Sequence, residues 1–123
     1  MLSTESTVAW ARANRHLTEV HDYDRLAATF AALASPIRLQ LVTLLAECRR
    51  TRETPGVLEL AHRAEISRFA ASFHLDHLRA AGIVRRDRVG TRWAHALTQD
   101  AMDTLDEWLF DVSPGAPVSA VII

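Results

Sequence analysis

Four residues, Arg68, Phe69, Ser72 and Phe73, recur at the spacing that puts side chains on one side of a helix. Their types suit one task. A guanidinium fork pairs with the O6 and N7 of guanine, a hydroxyl bonds a base edge, and an apolar ring packs on a thymine methyl. Farther along, Arg85, Arg86, Arg88 and Arg92 crowd around Gly90. Arginines at that density match phosphate oxygens or a neighbouring minor groove. The chemistry on offer is non-covalent recognition of double-stranded DNA.

Other chemistries lack their parts. His74 and His77 stand three apart and would share a helical face, but they read as a packing residue and a surface residue. His16, His21, His62 and His95 are scattered and read as solvated. Cys48 is the single cysteine, which excludes an internal disulfide framework and a multi-thiolate metal site within one chain. It ends an apolar helical turn and reads as a core thiol; a redox role would need a lowered thiol pKa. The sequence holds no glycine-rich phosphate loop, no metal-ligand cluster and no nucleophile with a base and an orienting partner. No enzyme activity, cofactor or metal is therefore expected.

The chain of 123 residues, 49% hydrophobic and 24% charged, suits one globular domain with its own core. No apolar run approaches the roughly 20 residues that span a bilayer, and Met1 to Trp10 lacks the basic-then-apolar order of a secretion signal. A cytoplasmic protein with no membrane partner is expected. The net charge of −1 conceals a polarity. Residues 63–92 hold seven arginines against three acids, whereas residues 99–123 hold five acids and no base. One surface suits a polyanion and another repels it.

Recognition groups need a frame. Residues 1–16 read as an arm or short helix. Leu17, Val20, Leu26, Phe30 and Leu33 mark a helix over about 17–33, with Asp22 or Asp24 restarting it as a cap. Ser35 and Pro36 start a second helix that buries Ile37, Leu41, Leu44 and Leu45 as far as Cys48. Arg49 to Pro55 reads as a loop, ending with Thr54 as cap and Pro55 as first helical residue of a short third helix, Val57 to Arg63, that buries Leu58, Leu60 and Ala61. A turn over Ala64 to Ile66 leads to Ser67, the cap of a recognition helix over about 67–81. Its Ala71, Leu75 and Leu78 face the core, and the opposite face carries the four groove residues. Gly82 closes it. Alternating residues over about 83–97, folded at Gly90, make a β-hairpin, the wing. Thr98 caps a last helix over about 98–110 with Met102, Leu105, Trp108 and Leu109 as its apolar stripe, and 111–123 reads as a flexible tail. The fold class is mainly α with a small β-hairpin: a winged helix-turn-helix domain over 17–110 with an extra helix at each end.

Three motifs, in order and at normal spacing, resemble those of the arsenic-repressor (ArsR/SmtB) family. Leu33-Ala34-Ser35-Pro36-Ile37-Arg38-Leu39 is similar to the entry into its second helix. Residues 67–84, from Ser67 through Gly82-Ile83-Val84, look like its recognition segment without gaps, and Arg88-Val89-Gly90-Thr91-Arg92-Trp93 resembles its wing. The resemblance implies a homodimer, with the helices at 17–33 and 98–110 packed across the two-fold axis, that represses a promoter until an effector binds. It carries the groove contacts to Arg68, Phe69, Ser72 and Phe73.

The departures bear on the effector. Where the family's thiolate sensor has a cysteine pair, this chain reads Thr54-Pro55-Gly56-Val57-Leu58-Glu59. The last helix has Asp100, Asp103, Asp106 and Glu107 but no histidine, against the family's other metal site. A site joining His16 or His21 to Asp103 or Asp106 across the dimer is the one metal arrangement left. Glu65 stands at the turn position usually held by glycine, at a cost of about 1–2 kcal/mol if left-handed. The expected function is a DNA-binding homodimeric repressor released by something other than a thiolate-bound metal, with a small-molecule effector in view. A cavity beside Trp108, Leu105 and Met102 is one place for such a ligand, although those residues read first as dimer core. Two alternatives stand beside it: an interaction module that docks a protein on Phe69 and Phe73, and an organic-ligand or redox sensor on the same fold.

Overall fold

The computed structural model describes residues 21–114. Among them the order is α1 (Tyr23–Leu33), α2 (Pro36–Thr51), α3 (Val57–Ala64), α4 (Arg68–Ala80), β1 (Val84–Val89), β2 (Arg92–Leu97) and α5 (Gln99–Val112). The expectations for residues 1–16, for Leu17 and Val20, and for the tail beyond 114 lie outside the described residues. No single helix among the described residues is long and apolar enough to cross a membrane.

Local chemistry sets the helix starts. Asp22 accepts a hydrogen bond from the Arg25 amide at 3.1 Å and opens α1. Ser35 caps α2, with Pro36 inside the first turn, where its missing N–H costs nothing. α2 runs through Arg49 and Arg50, expected in a loop, and stops where Arg52 turns left-handed at φ 59°. Thr54 does not cap α3 and Pro55 does not begin it. Gly56 is the cap residue, Arg92 donates to the Thr54 carbonyl and hydroxyl, and the Pro55 carbonyl accepts from the His95 amide at 2.9 Å. The loop's polar atoms are thus engaged by β2, which delays the helix. With that later start Leu60, Ala61 and Ala64 face inward, and Leu58, expected in the core, is 62% exposed.

The core gathers Leu41 and Leu45 of α2, Leu60 of α3, Leu75 and Leu78 of α4, and Ile83, Val84 and Leu97 at the root of the hairpin. β1 and β2 pair antiparallel, with Val84 opposite Leu97, Arg86 opposite His95, Arg88 opposite Trp93 and Val89 opposite Arg92. A two-residue link, Gly90 and Thr91, joins them. Gly90 takes φ 62° while Thr91 stays negative, the pattern of a type II′ turn whose twist suits a hairpin. Burial is confined to the root, so the tip stands free.

α1 and α5 meet on another side. Phe30 meets Trp108 edge-on with ring centroids 5.3 Å apart, Arg25 pairs with Asp100, and His21 Nε2 lies 2.7 Å from Asp111 Oδ2. Phe30, one of the residues whose spacing marked this helix, is partly exposed, whereas Thr29 is buried, its hydroxyl donating to the Arg25 carbonyl at 2.9 Å. Leu109, of the last helix's apolar stripe, is exposed within this chain.

Candidate nucleic-acid interface

The site rests on how α4 is held. Glu65 adopts φ 55°, ψ 44° and reverses the chain after α3; the Ile66 amide then donates to the Ala61 carbonyl at 3.0 Å. This left-handed turn is held by a residue with a Cβ, as anticipated. Ser67 follows, its hydroxyl accepting from the Ala70 amide at 3.0 Å. That bond satisfies one of the amides a helix start leaves open and fixes the direction of the N-terminus. Ala71, Leu75 and Leu78 anchor the underside, each buried.

The opposite side is open. Arg68 and Ser72 are exposed, and Phe69 and Phe73 are 76% and 59% exposed, so the four residues share a free face. The Arg68 guanidinium lies 5.2 Å from the Phe69 ring centroid, and Phe73 touches the His74 and His77 rings, each 5.2 Å away. The aromatic pair thus stands outside the core, available to a partner.

The pleat divides the four hairpin arginines. Arg86 and Arg88 share a face with Trp93, their guanidinium carbons 4.5 and 5.2 Å from its ring centroid. Arg85 and Arg92 occupy the other face. Arg85 Nε donates to Asp87 at 2.8 Å, which offsets part of its charge, and Arg92 ties the wing to Thr54. Among the described residues Arg86 and Arg88 are therefore the hairpin arginines tied neither to a carboxylate nor to another segment, Arg88 Nε donating only to the Gly90 carbonyl of its own turn. The stacking of Arg86 and Arg88 on Trp93 and the Thr54 anchor escaped the sequence reading, which placed Trp93 in the wing strand only. The glycine turn, once taken as two residues long, sets the register that puts Trp93 opposite Arg88.

The histidines and the thiol resolve differently. His74 is half-buried with the Arg38 Nη1 at 3.2 Å, and His77 is exposed. Burial lowers the His74 pKa, and the Arg38 charge adds to that. His21 and His95 are not solvated. The His21 side chain is 5% exposed because α5 continues past its expected end and brings Asp111 against it. His95 is 8% exposed at the hairpin root; burial pushes its pKa down, and the Pro55 carbonyl opposes. Cys48 is buried beneath Arg63, whose Nη1 lies 3.3 Å from Sγ. Burial raises the thiol pKa against the pull of that guanidinium, the reverse of a poised redox thiol. Among the described residues no cluster of three or more His, Cys, Asp or Glu could hold a metal ion.

Solved structures share the fold. An ArsR-like transcriptional regulator from Rhodococcus sp. RHA1 is 28% identical with a TM-score of 0.64, over 81% of this chain and 88% of that one. The homodimeric winged helix-turn-helix DNA-binding domain of a possible ArsR-family regulator from Mycobacterium bovis is 28% identical with a TM-score of 0.58, over 73% and 78%. A possible transcriptional regulator for arsenical resistance is 33% identical with a TM-score of 0.54, over 66% and 78%. The chain matches no protein-family model and no curated protein.

Proposed function

The chain belongs to the ArsR family of winged helix-turn-helix transcriptional regulators, DNA-binding proteins rather than enzymes, and we propose that it acts as a homodimeric repressor whose α4 enters the major groove. One observation carries this reading. Arg68, Phe69, Ser72 and Phe73 stand exposed on α4 while Ala71, Leu75 and Leu78 pin its other face, with Arg86 and Arg88 on the adjacent wing. Arg68 reads a guanine, the two rings pack on thymine methyls, Ser72 bonds a base edge or phosphate, and the hairpin arginines Arg85, Arg86, Arg88 and Arg92 hold the backbone, the first and last through what their intramolecular partners leave free.

The dimer reading rests on α1 and α5. Beside the Phe30–Trp108 contact, Leu109 and Val112 lie one and four residues on from Trp108 and are exposed large apolar residues, a surface a second copy would cover. A two-fold dimer would present its recognition helices to half-sites about 34–36 Å apart, so the operator is a near-palindrome. The effector is a small molecule rather than a thiolate-bound metal: the one cysteine is buried, and its raised pKa opposes a redox role. A cytoplasmic location goes with this reading.

The exposure of Phe69 and Phe73 also favours a second reading, a module that docks a protein helix on this pair. Selection of bound duplexes from a random pool decides between them. A palindromic consensus, bound more weakly as salt rises, supports the repressor; no enriched sequence together with salt-independent affinity overturns it.

A further inference from the structure

α3, α4 and the hairpin enclose a cleft of about 330 Å³ beside the proposed groove face, a volume within the range of small-molecule sites. Leu58, Leu75 and Trp93 give it apolar walls. Its polar groups are unequally occupied. Asp76 is paired with Arg79 at 3.1 Å, and Arg92 is tied to Thr54. Arg86 makes no ion pair among the described residues and lies over the Trp93 ring. Glu59, exposed on α3, is the one other carboxylate in the lining, so three arginines face two acids. His95 lies directly opposite Arg86 in the hairpin register, more than nine-tenths buried, with its ring against the Pro55 carbonyl, so it forms part of the fixed wall behind Arg86.

We propose that this cleft is the regulator's effector site and takes a small aromatic carboxylic acid, its ring against Trp93, Leu58 and Leu75 and its carboxylate on Arg86, with the His95 ring packed beneath them in the wall. The proposal rests on the DNA-binding reading. Occupancy draws the Arg86 charge away from phosphate and fills the space between Ser72 on α4 and the wing. Ligand and DNA therefore oppose each other, and by linkage each weakens the other by the same factor.

The test uses the full chain, with 2-naphthoate and its uncharged amide as probes, in two arms. Calorimetry without DNA should show naphthoate binding, weaker binding of the amide, and about tenfold or greater loss in Arg86→Gln, as for a lost charged hydrogen bond. Nitrogen-15 signals of the His95 ring should shift on binding. Because His95 is buried, His95→Leu is paired with a thermal melt, and the exposed Arg86→Gln decides if that variant does not fold. Anisotropy on the selected duplex should then show naphthoate weakening wild-type DNA affinity and leaving that of Arg86→Gln much less changed. No binding at millimolar naphthoate, binding indifferent to Arg86→Gln, or signal changes confined to α5 overturns the site. Binding in the cleft with unaltered DNA affinity overturns the effector role. Failure of duplex selection would instead sink the regulator reading, while calorimetry still reports on the cleft.

Discussion

Replacing Glu65 with glycine should stabilise the protein, and the size of the gain follows from the turn. Glu65 sits at φ 55°, ψ 44°, where its Cβ crowds the following carbonyl, at a cost of about 1–2 kcal/mol. Glycine escapes that cost but adds freedom to the unfolded chain, which returns about 0.4–1 kcal/mol. The side chain is exposed and makes no ion pair or hydrogen bond among the described residues, so its removal forfeits nothing else. With both terms at the middle of their ranges the net gain is about 0.8 kcal/mol. At about 4–8 °C per kcal/mol for a domain near this size, the melting temperature should rise by about 3–6 °C. Circular dichroism at one fixed protein concentration measures it, since self-association would make the midpoint concentration-dependent. Arg52→Gly, at φ 59°, should shift in the same direction. An unchanged or lower midpoint for Glu65→Gly would refute the claim that strain is stored in this turn.

Three further outcomes are expected. Burial lowers the pKa of His95, near Arg86, Arg79 and Asp76, and of His74 beside Arg38, so protonation favours the unfolded chain. Stability from these groups is full above their ordinary value of 6.5 and is lost as pH falls toward the lower folded pKa. Urea midpoints at about pH 7.5 and about pH 5.5 should differ less in His95→Phe than in wild type, and an equal loss contradicts the assignment. Leu109→Asp should shift sedimentation toward a monomer while the far-ultraviolet spectrum holds, because Leu109 is exposed within one chain; an unmoved boundary removes α5 from the interface. Arg88→Ala should weaken binding to all duplexes alike and lower the salt slope by about one, and a sequence-dependent loss would assign Arg88 to base reading instead.

The parts that proved legible in the sequence share a cause: their signals are local. Ser35-Pro36, Ser67 and Gly82 mark helix ends through their own backbone chemistry, and the spacing of Ala71, Leu75 and Leu78 identifies the inner face of α4 without knowledge of a neighbour. What escaped depends on contacts distant in sequence. Thr54 was passed over as a cap because Arg92, 38 residues on, takes its oxygen atoms. His95 is buried because β2 lies on the Pro55 loop, a fact no periodicity carries. Phe30 and Leu109 have helical spacing appropriate to a core, yet the single chain leaves them exposed; apolar pattern alone does not distinguish an interior from an interface.

The most direct test compares wild type with Arg68→Ala on the selected duplex and on a scrambled one at fixed salt. A loss of about 1–3 kcal/mol on the selected duplex, with little change on the scrambled one, is the predicted result. Equal affinity of the two proteins for the selected duplex would contradict the placement of this face of α4 in the major groove.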